Sequence, residues 1–245
     1  MAQQEVEWFS TWFDSPYYHI LYQDRDLKEA QLFMDNLLAY LHPKQHEKIL
    51  DLACGKGRHS LYLSQKGYDV TGIDLSAQSI AYARQYEHER LHFDVHDMRQ
   101  VYKPEAFDFI LNLFTSFGYF EHETENVVAL LATAESLKHG GKLVIDFMNT
   151  DKVIANLVTD EVKEVQGIKF NIHRGLEHDF IVKTISFTDN GETYRFQERV
   201  RALREEDFME YFKMTQLRLV DVFGDYHLNK YDRDNSDRMI FVLKK

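Results

Sequence analysis

Short apolar runs alternate with helical patterns through the middle of the chain. Five of these runs read as strands, at 48–52, 68–73, 91–95, 107–112 and 142–147. Between them, apolar residues recur at helical spacing at 58–66, 77–87 and 121–138. This alternation predicts an α/β fold: a mostly parallel sheet with helices on both faces and right-handed crossovers.

After residue 150 the pattern changes to short alternating runs, at 162–165, 168–173, 179–188 and 192–201. Asp189, Asn190 and Gly191 between the last two runs form a strong hairpin signal. This part therefore predicts an antiparallel β insert after strand five. A helix at 205–213 and two final strands at 217–223 and 238–243 follow.

The first 45 residues have a helical and strongly aromatic pattern. Trp8 and Trp12 fall at helical spacing, which favours an amphipathic helix packed on the body. Tyr18 and Tyr22 follow Pro16 and carry polar tips, so they are better site candidates. A second helix is predicted from 26 to 41.

We predict one domain, 1–245, with a helical cap (1–45), a core (46–150), an insert (160–202) and a segment that completes the core sheet (203–245).

Composition indicates which binding partners and which cellular compartment fit this chain. The chain has 245 residues, 44% of them hydrophobic, and a net charge of −11, so a nucleic-acid partner is disfavoured. The single cysteine, Cys54, excludes an internal disulfide and fits a reducing compartment. Neither a signal peptide nor a membrane span is evident, so we predict a cytoplasmic protein without a membrane partner.

The segment ILDLACGKG, residues 49–57, combines a buried strand with a turn of small residues, and a helical pattern follows. This geometry lets a ligand approach backbone N–H groups closely at a helix N-terminus. Ser60 stands where a third glycine is due, so the dinucleotide pattern G-x-G-x-x-G fails. Asp51, just before the turn, suits a cationic ligand group better than a pyrophosphate. The alternative is an ordinary tight connection between strand and helix.

Acidic residues lie at, or just past, the ends of three consecutive predicted strands, at Asp51, Asp74 and Asp97. Ligands of open parallel sheets bind beyond the carboxyl ends of the strands, so these acids should line one edge. Asp74 can accept both hydroxyls of a ribose, Asp97 an adenine amino group, and Asp51 an amino-acid cation. Together they describe S-adenosylmethionine. Each acid alone could equally be a helix N-cap or a loop residue.

The segments ILDLACGKG, VTGIDLS and HFDVHDMRQ resemble the first three motifs of class I S-adenosylmethionine-dependent methyltransferases. The resemblance, over about 48–147, implies a Rossmann-like seven-stranded sheet with an antiparallel last strand, and S-adenosylhomocysteine as product. The motifs also imply a set of cofactor contacts: Asp51, Ala53, Gly55, Gly57, Asp74, Leu75, Asp97 and Met98. To these we add Tyr22, Arg58 and Leu113 as predicted cofactor contacts. Ala53 departs from the motif, which usually has glycine there.

A narrower resemblance concerns the segments DMRQ and FDFILNLFTSFGYF, which are similar to small-molecule N-methyltransferases of the amino-sugar type. It implies that Tyr18 and Tyr119 approach an acceptor amine. The Asn-Pro-Pro-aromatic signature of enzymes that methylate amino groups of nucleic acids or protein glutamine is absent from the sequence.

The predicted reaction is an in-line displacement at the sulfonium methyl group, which chiefly requires positioning. An attacking amine must be neutral, and His122 or His19 could assist its deprotonation. No metal site is predicted. We expect a small amine as acceptor, with a hydroxyl compound as the second choice. The alternatives are an RNA or protein methyltransferase, a non-catalytic S-adenosylmethionine-binding protein and an NAD-linked oxidoreductase; the oligomeric state stays open.

Overall fold

The central strands of the core place successive side chains on opposite faces, and both faces are buried. In β1 (Lys48–Leu52), Leu50 packs into one hydrophobic cluster and Ile49 into a second on the other face. The structure is a computed structural model that describes residues 7–23 and 27–245. The predicted residues 1–6 of the cap, and the predicted helix start at Asp26, lie outside the described residues.

In the described part of the chain, seven strands form one mixed sheet, the core sheet, in the order β10–β11–β5–β4–β1–β2–β3. Strand β11 runs antiparallel to both β5 and β10, whereas β1 to β5 are parallel. This confirms the predicted sheet with its antiparallel last strand. The other strands are β2 (Asp69–Asp74), β3 (Leu91–Val95), β4 (Phe107–Asn112), β5 (Leu137–Met148), β10 (Arg218–Phe223) and β11 (Arg238–Lys244).

Helices cover the core sheet on both faces, as the alternation predicts. One face packs against α3 (Leu27–Leu41), α4 (Arg58–Gln65) and α5 (Ala77–Ala83), and the opposite face against α6 (Glu123–Ser136) and α8 (Glu205–Lys213). The remaining described α-helices are α1 (Trp8–Trp12), α2 (Pro16–Leu21) and α7 (Thr150–Ala155). Helix α7 was not predicted.

The insert forms a separate antiparallel sheet, the insert sheet, in the order β6–β7–β8–β9. At the predicted hairpin both Asn190 (φ 49°) and Gly191 (φ 82°) have positive φ, as a two-residue hairpin turn requires. Trp12 and Leu21 of the N-terminal helices pack with Phe170 of this sheet. The strands are β6 (Asp160–Val165), β7 (Ile168–Glu177), β8 (Phe180–Asp189) and β9 (Glu192–Arg201).

The largest boundary difference lies between α6 and β5. The sequence predicted a helix to residue 138 that ends at His139-Gly140-Gly141, but the helix ends at Ser136 and β5 begins directly. Gly140 has a φ of 81° and the strand pairing shifts register here. A side chain at Gly141 would approach the carbonyl oxygens of Lys138 and Asp108, at 2.9 and 3.1 Å. The glycines therefore form an irregularity within the strand rather than a helix end.

Candidate active site

A cavity of about 630 Å³ lies beyond the carboxyl ends of β1 to β4. Its cofactor end, as we call it, is lined by residues from within 51–61, 73–86 and 96–98, at or just after the ends of those strands. Its acceptor end is lined by α1, α2, residues 116–120 and β9. The volume is within the range of small-molecule sites.

The turn after β1 has a backbone conformation that favours glycine at three positions. Ala53, Gly55 and Gly57 have φ values of 63°, 55° and 76°. The space above the Gly55 Cα is open, and Gly55 lines the cavity. A side chain at Gly57 would meet the Phe93 ring at 2.5 Å. Gly55 therefore leaves room for a ligand, whereas Gly57 is required for packing beneath the turn.

Asp51, at the cofactor end, is buried and accepts a hydrogen bond from the Ser60 hydroxyl at 2.6 Å. Burial raises the pKa of its carboxyl to about 6; the bond from Ser60 opposes the rise and the nearby Asp74 charge adds to it. A cationic ligand group beside Asp51 would favour the ionised form and lower this pKa.

Asp74 ends β2 and its carboxylate organises the turn. It accepts the backbone N–H groups of Gly55 and Ser76, both at 2.8 Å. Burial raises the pKa of Asp74, the two N–H bonds oppose this, and the Asp14 charge adds to it. The Ser76 hydroxyl in turn donates to Asp14, which links the N-terminal segment to the cofactor end.

Asp97 has a partner that the sequence reasoning missed. Arg99 donates to both of its carboxylate oxygens, and it also pairs with Glu7 and Glu125 at 2.8 and 2.6 Å. Burial raises the pKa of Asp97, but the Arg99 guanidinium prevails and holds it below its usual value. Asp97 lines the cavity, and the proposed hydrogen bond to adenine has to share its oxygens with Arg99. That role stays a prediction.

The chain after β4 contains two non-glycine residues in the left-handed region, Phe114 and Thr115, both with a φ of 58°. Buried Asp146 fixes this turn, since it accepts the Phe114 N–H at 2.8 Å and pairs with Arg238 at 2.7 Å. Strained backbone of this kind persists only where its surroundings hold it, and it clusters at functional sites. The Phe114 ring lines the cavity and stacks on His59 at 4.7 Å.

Aromatic rings form the wall of the acceptor end. The Tyr119 ring lies 5.4 Å from Trp8 and 5.6 Å from Phe13, and Phe13 lies 5.0 Å from Tyr18. The Tyr119 hydroxyl donates to the carbonyl oxygen of Thr115, in the strained turn. The two predicted acceptor tyrosines, 101 positions apart in sequence (119 − 18), thus belong to one wall.

A further lining residue, Glu198 of β9, was not predicted. It accepts the Trp12 Nε1–H at 2.8 Å and the Tyr22 hydroxyl at 2.5 Å, and Lys183 Nζ lies 3.6 Å away. In the sequence it is one charged residue in an alternating strand, where a solvent-exposed position is the default. Only the packing of the insert against the N-terminal helices brings it to the cavity.

The structure places most of the predicted site residues around this cavity. Those that line it are Tyr18, Tyr22, Asp51, Ala53, Gly55, Arg58, Asp74, Leu75, Asp97, Met98, Leu113 and Tyr119. Gly57 and His122 are not among the lining residues. His122 is an exposed N-cap residue of α6, so its position gives no support to the predicted role as a base. His19, the other candidate, does line the cavity.

Within residues 7–23 and 27–245, no helix has both the length and the apolar character needed to cross a membrane. In the same residues, no three or more His, Cys, Asp or Glu side chains are grouped so that they could hold a metal ion.

Comparison with known proteins adds independent findings. Residues 49–141 match the family model described as "Methyltransferase domain". The glycine/sarcosine N-methyltransferase of Aphanothece halophytica is 27% identical, over 90% of this chain and 83% of that protein.

Two solved structures share the fold. An S-adenosylmethionine-dependent methyltransferase from Clostridium acetobutylicum ATCC 824 aligns with a TM-score of 0.77 at 23% identity, over 93% of this chain and 95% of that one. CalS10 with bound SAM, an amino pentose methyltransferase from Micromonospora echinaspora, aligns with a TM-score of 0.66 at 19% identity, over 94% of this chain and 97% of that one. The predicted likeness to amino-sugar N-methyltransferases is thus confirmed at the level of fold.

Proposed function

We propose that this chain, a class I S-adenosylmethionine-dependent methyltransferase, transfers the methyl group to a small-molecule amine. The observation that carries the proposal is the arrangement of the cavity, which residues of α1, α2 and β9 line opposite the strand ends. Such a site suits a small molecule, whereas a polymer requires an open groove.

The cofactor end fits S-adenosylmethionine chemically. We assign Asp74 to the ribose hydroxyls, because its buried carboxylate lies on the cavity at the end of β2. Asp51 would face the amino group, and the open space above Gly55 would admit the ligand close to the backbone. Leu75 and Met98 would pack on the adenine. When bound, S-adenosylmethionine supplies a methyl group on a positively charged sulfur that is already activated for displacement.

The acceptor end would position the amine. The lone pair of the amine nitrogen forms the N–C bond as the S–C bond breaks with its electron pair remaining on sulfur, and one N–H proton leaves. Tyr18, Tyr119 and the neighbouring rings exclude water and present aromatic faces to positive charge. His19 lines the cavity and is our candidate to accept the proton, directly or through water.

Two relatives support an amine acceptor. One is named a glycine/sarcosine N-methyltransferase and the other an amino pentose methyltransferase. Both names describe small acceptors. A hydroxyl compound is the second choice, and RNA or protein the third.

The test is turnover of a library of amines and phenols, with S-adenosylhomocysteine formation as the readout. We expect Tyr119→Phe to lower kcat roughly tenfold, since the hydroxyl that fixes the ring to the Thr115 carbonyl is lost, and to leave the Kd of S-adenosylmethionine nearly unchanged. Tyr62→Phe on α4, outside the cavity, is the matched control. Methylation of RNA or protein substrates alone, with no small acceptor turned over, would overturn the proposal.

A further inference from the structure

The charged side chains that line the cavity are unevenly distributed. The lining Lys and Arg residues among those described are Lys56 and Arg58, both in the cofactor end. Lys56 Nζ lies 4.9 Å from the Tyr82 ring and the Arg58 guanidinium 5.3 Å from the Phe114 ring, so aromatic neighbours hold both there. Of the described residues that line the acceptor end, Glu198 is the one carboxylate, and Lys and Arg are absent.

The alternation of β9 explains why Glu198 faces the cavity while its arginine neighbours do not. Glu198 and Val200 lie on one face of the strand and both line the cavity. Arg199 and Arg201 lie on the other face, where their guanidinium groups lie 4.8 and 4.5 Å from the Phe180 ring. The insert therefore presents a carboxylate to the acceptor end, while Arg199 and Arg201 lie on the opposite face of β9.

The Glu198 side chain is held in place and largely removed from water, with 18% of its surface exposed. Trp12 and Tyr22 both donate to one of its oxygens, Oε1, and Lys183 approaches Oε2 at 3.6 Å, beyond hydrogen-bond distance. Lys183 is not a lining residue, so it stabilises the carboxylate from behind the wall. A fixed carboxylate with a second oxygen that still has lone pairs is suited to bind a ligand N–H group.

A carboxylate in this aromatic surrounding discriminates by charge. An amine N–H group there donates a charge-assisted hydrogen bond to the carboxylate, both as the ammonium that binds and as the neutral amine that attacks after losing a proton. A ligand carboxylate instead meets like charge in a site with little water to screen it. We propose that Glu198 binds the acceptor, and that the acceptor is a basic amine without an acidic group. This inference rests on the proposed function, and it separates plain amines from amino acids as substrates.

The experiment uses amines paired with the amino acids that differ from them by one carboxylate: tyramine and tyrosine, histamine and histidine, ethanolamine and serine. For any pair in which the wild type methylates at least one member, we expect kcat/KM for the amine to exceed kcat/KM for the amino acid by at least about tenfold. This ratio corresponds to roughly 1.4 kcal/mol. Glu198→Gln should raise KM for the amine about tenfold and bring the two members of the pair closer. The Kd of S-adenosylmethionine should stay unchanged.

Two further variants separate binding from folding. Trp12→Phe removes a donor to Glu198 but retains the carboxylate, so the preference for the amine should persist even if turnover falls. Glu164→Gln, an exposed glutamate of β6, is the matched control for loss of one negative charge on the insert. An unchanged amine preference in Glu198→Gln, or amino acids that react as well as their amines in the wild type, would overturn the inference. If phenols but no member of any pair are methylated, the amine acceptor and this inference both fail.

Discussion

The two ends of the cavity are built in different ways. The cofactor end is made of side chains and backbone within a few residues of the strand ends, such as Asp51, Gly55 and Asp74, whose positions follow from the parallel sheet. The acceptor end brings together Trp8, Tyr119 and Glu198, which the folding of the cap and the insert must first assemble. The difference suggests that cofactor binding is encoded locally, while acceptor choice is set by long-range packing.

The sharpest way to break this comparison is to block the cofactor end alone. Gly55→Val places a side chain in the open space above the turn, and we expect at least roughly a hundredfold loss of S-adenosylmethionine affinity by calorimetry. Gly191→Val is a matched control, because Gly191 also has a positive φ and open space but lies in the insert hairpin. Normal binding by a folded Gly55→Val protein would mean that this turn does not approach the cofactor.

A smaller effect is expected at the ribose position. Asp74→Ala removes charge-assisted hydrogen bonds, so affinity for S-adenosylmethionine should fall by on the order of 2 kcal/mol, or about 30-fold. Acceptor KM at saturating cofactor should change little if the two ends are independent. Asp69→Ala, at the opposite end of β2, serves as the control. Unchanged affinity in Asp74→Ala would contradict the assignment of this carboxylate.

Asp51 provides a prediction about pH. Burial raises its pKa to about 6 in the ligand-free protein, so the folded state holds a proton that the unfolded chain releases near pH 4. The stability contributed by the protonated form is complete below pH 4 and is lost as the pH rises through 6. Asp51→Asn mimics the protonated form. Its free energy of unfolding at pH 7 should therefore exceed that of the wild type by on the order of 2 kcal/mol, and the two proteins should differ little at pH 4.

Urea unfolding of both proteins at pH 4 to 8 measures this difference. The same variant should bind S-adenosylmethionine more weakly, because an amide does not pair with an amino-group cation. Equal pH dependence in the two proteins would show that Asp51 is not the group responsible.

The smallest predicted effect concerns Ala53, which has a left-handed backbone at a φ of 63°. Glycine adopts this conformation without the steric cost of a Cβ, so Ala53→Gly should raise the free energy of unfolding by up to about 1 kcal/mol. Ala81→Gly, at an exposed position of α5, should have the opposite sign and lower it by about 1 kcal/mol. Destabilisation by both changes would show that Ala53 is not strained.

These cases also show which features the sequence could predict. The strands β1, β3 and β4 begin and end where the hydrophobic pattern indicates. Both faces of β1 and β4 are buried, and β3 buries Leu91 and Phe93 on one face. The acids at the strand ends are recognisable because each lies at, or just past, the end of such an apolar run. The sequence shows at Ala53 only a departure from the usual glycine of the motif, and the backbone angle of 63° shows why glycine is usual there.

Other features depend on contacts between distant segments. The pairing of Arg99 with Asp97 joins neighbours, but its bond to Glu7 spans 92 positions, and the bond from Trp12 to Glu198 spans 186. Neither periodicity nor composition carries information at that separation. His122 is close to Tyr119 in sequence, but the start of α6 exposes it to solvent.

The position of the tryptophans has a spectroscopic consequence. The chain contains two, Trp8 and Trp12, and both lie in α1. Trp12 is buried beside Phe196, with ring centroids 4.5 Å apart, and Trp8 lines the cavity. Indole emission from the unlabelled protein therefore reports on the segment above the acceptor end and not on the core sheet. Its wavelength and quenching can follow the opening of that segment while the rest of the molecule stays folded.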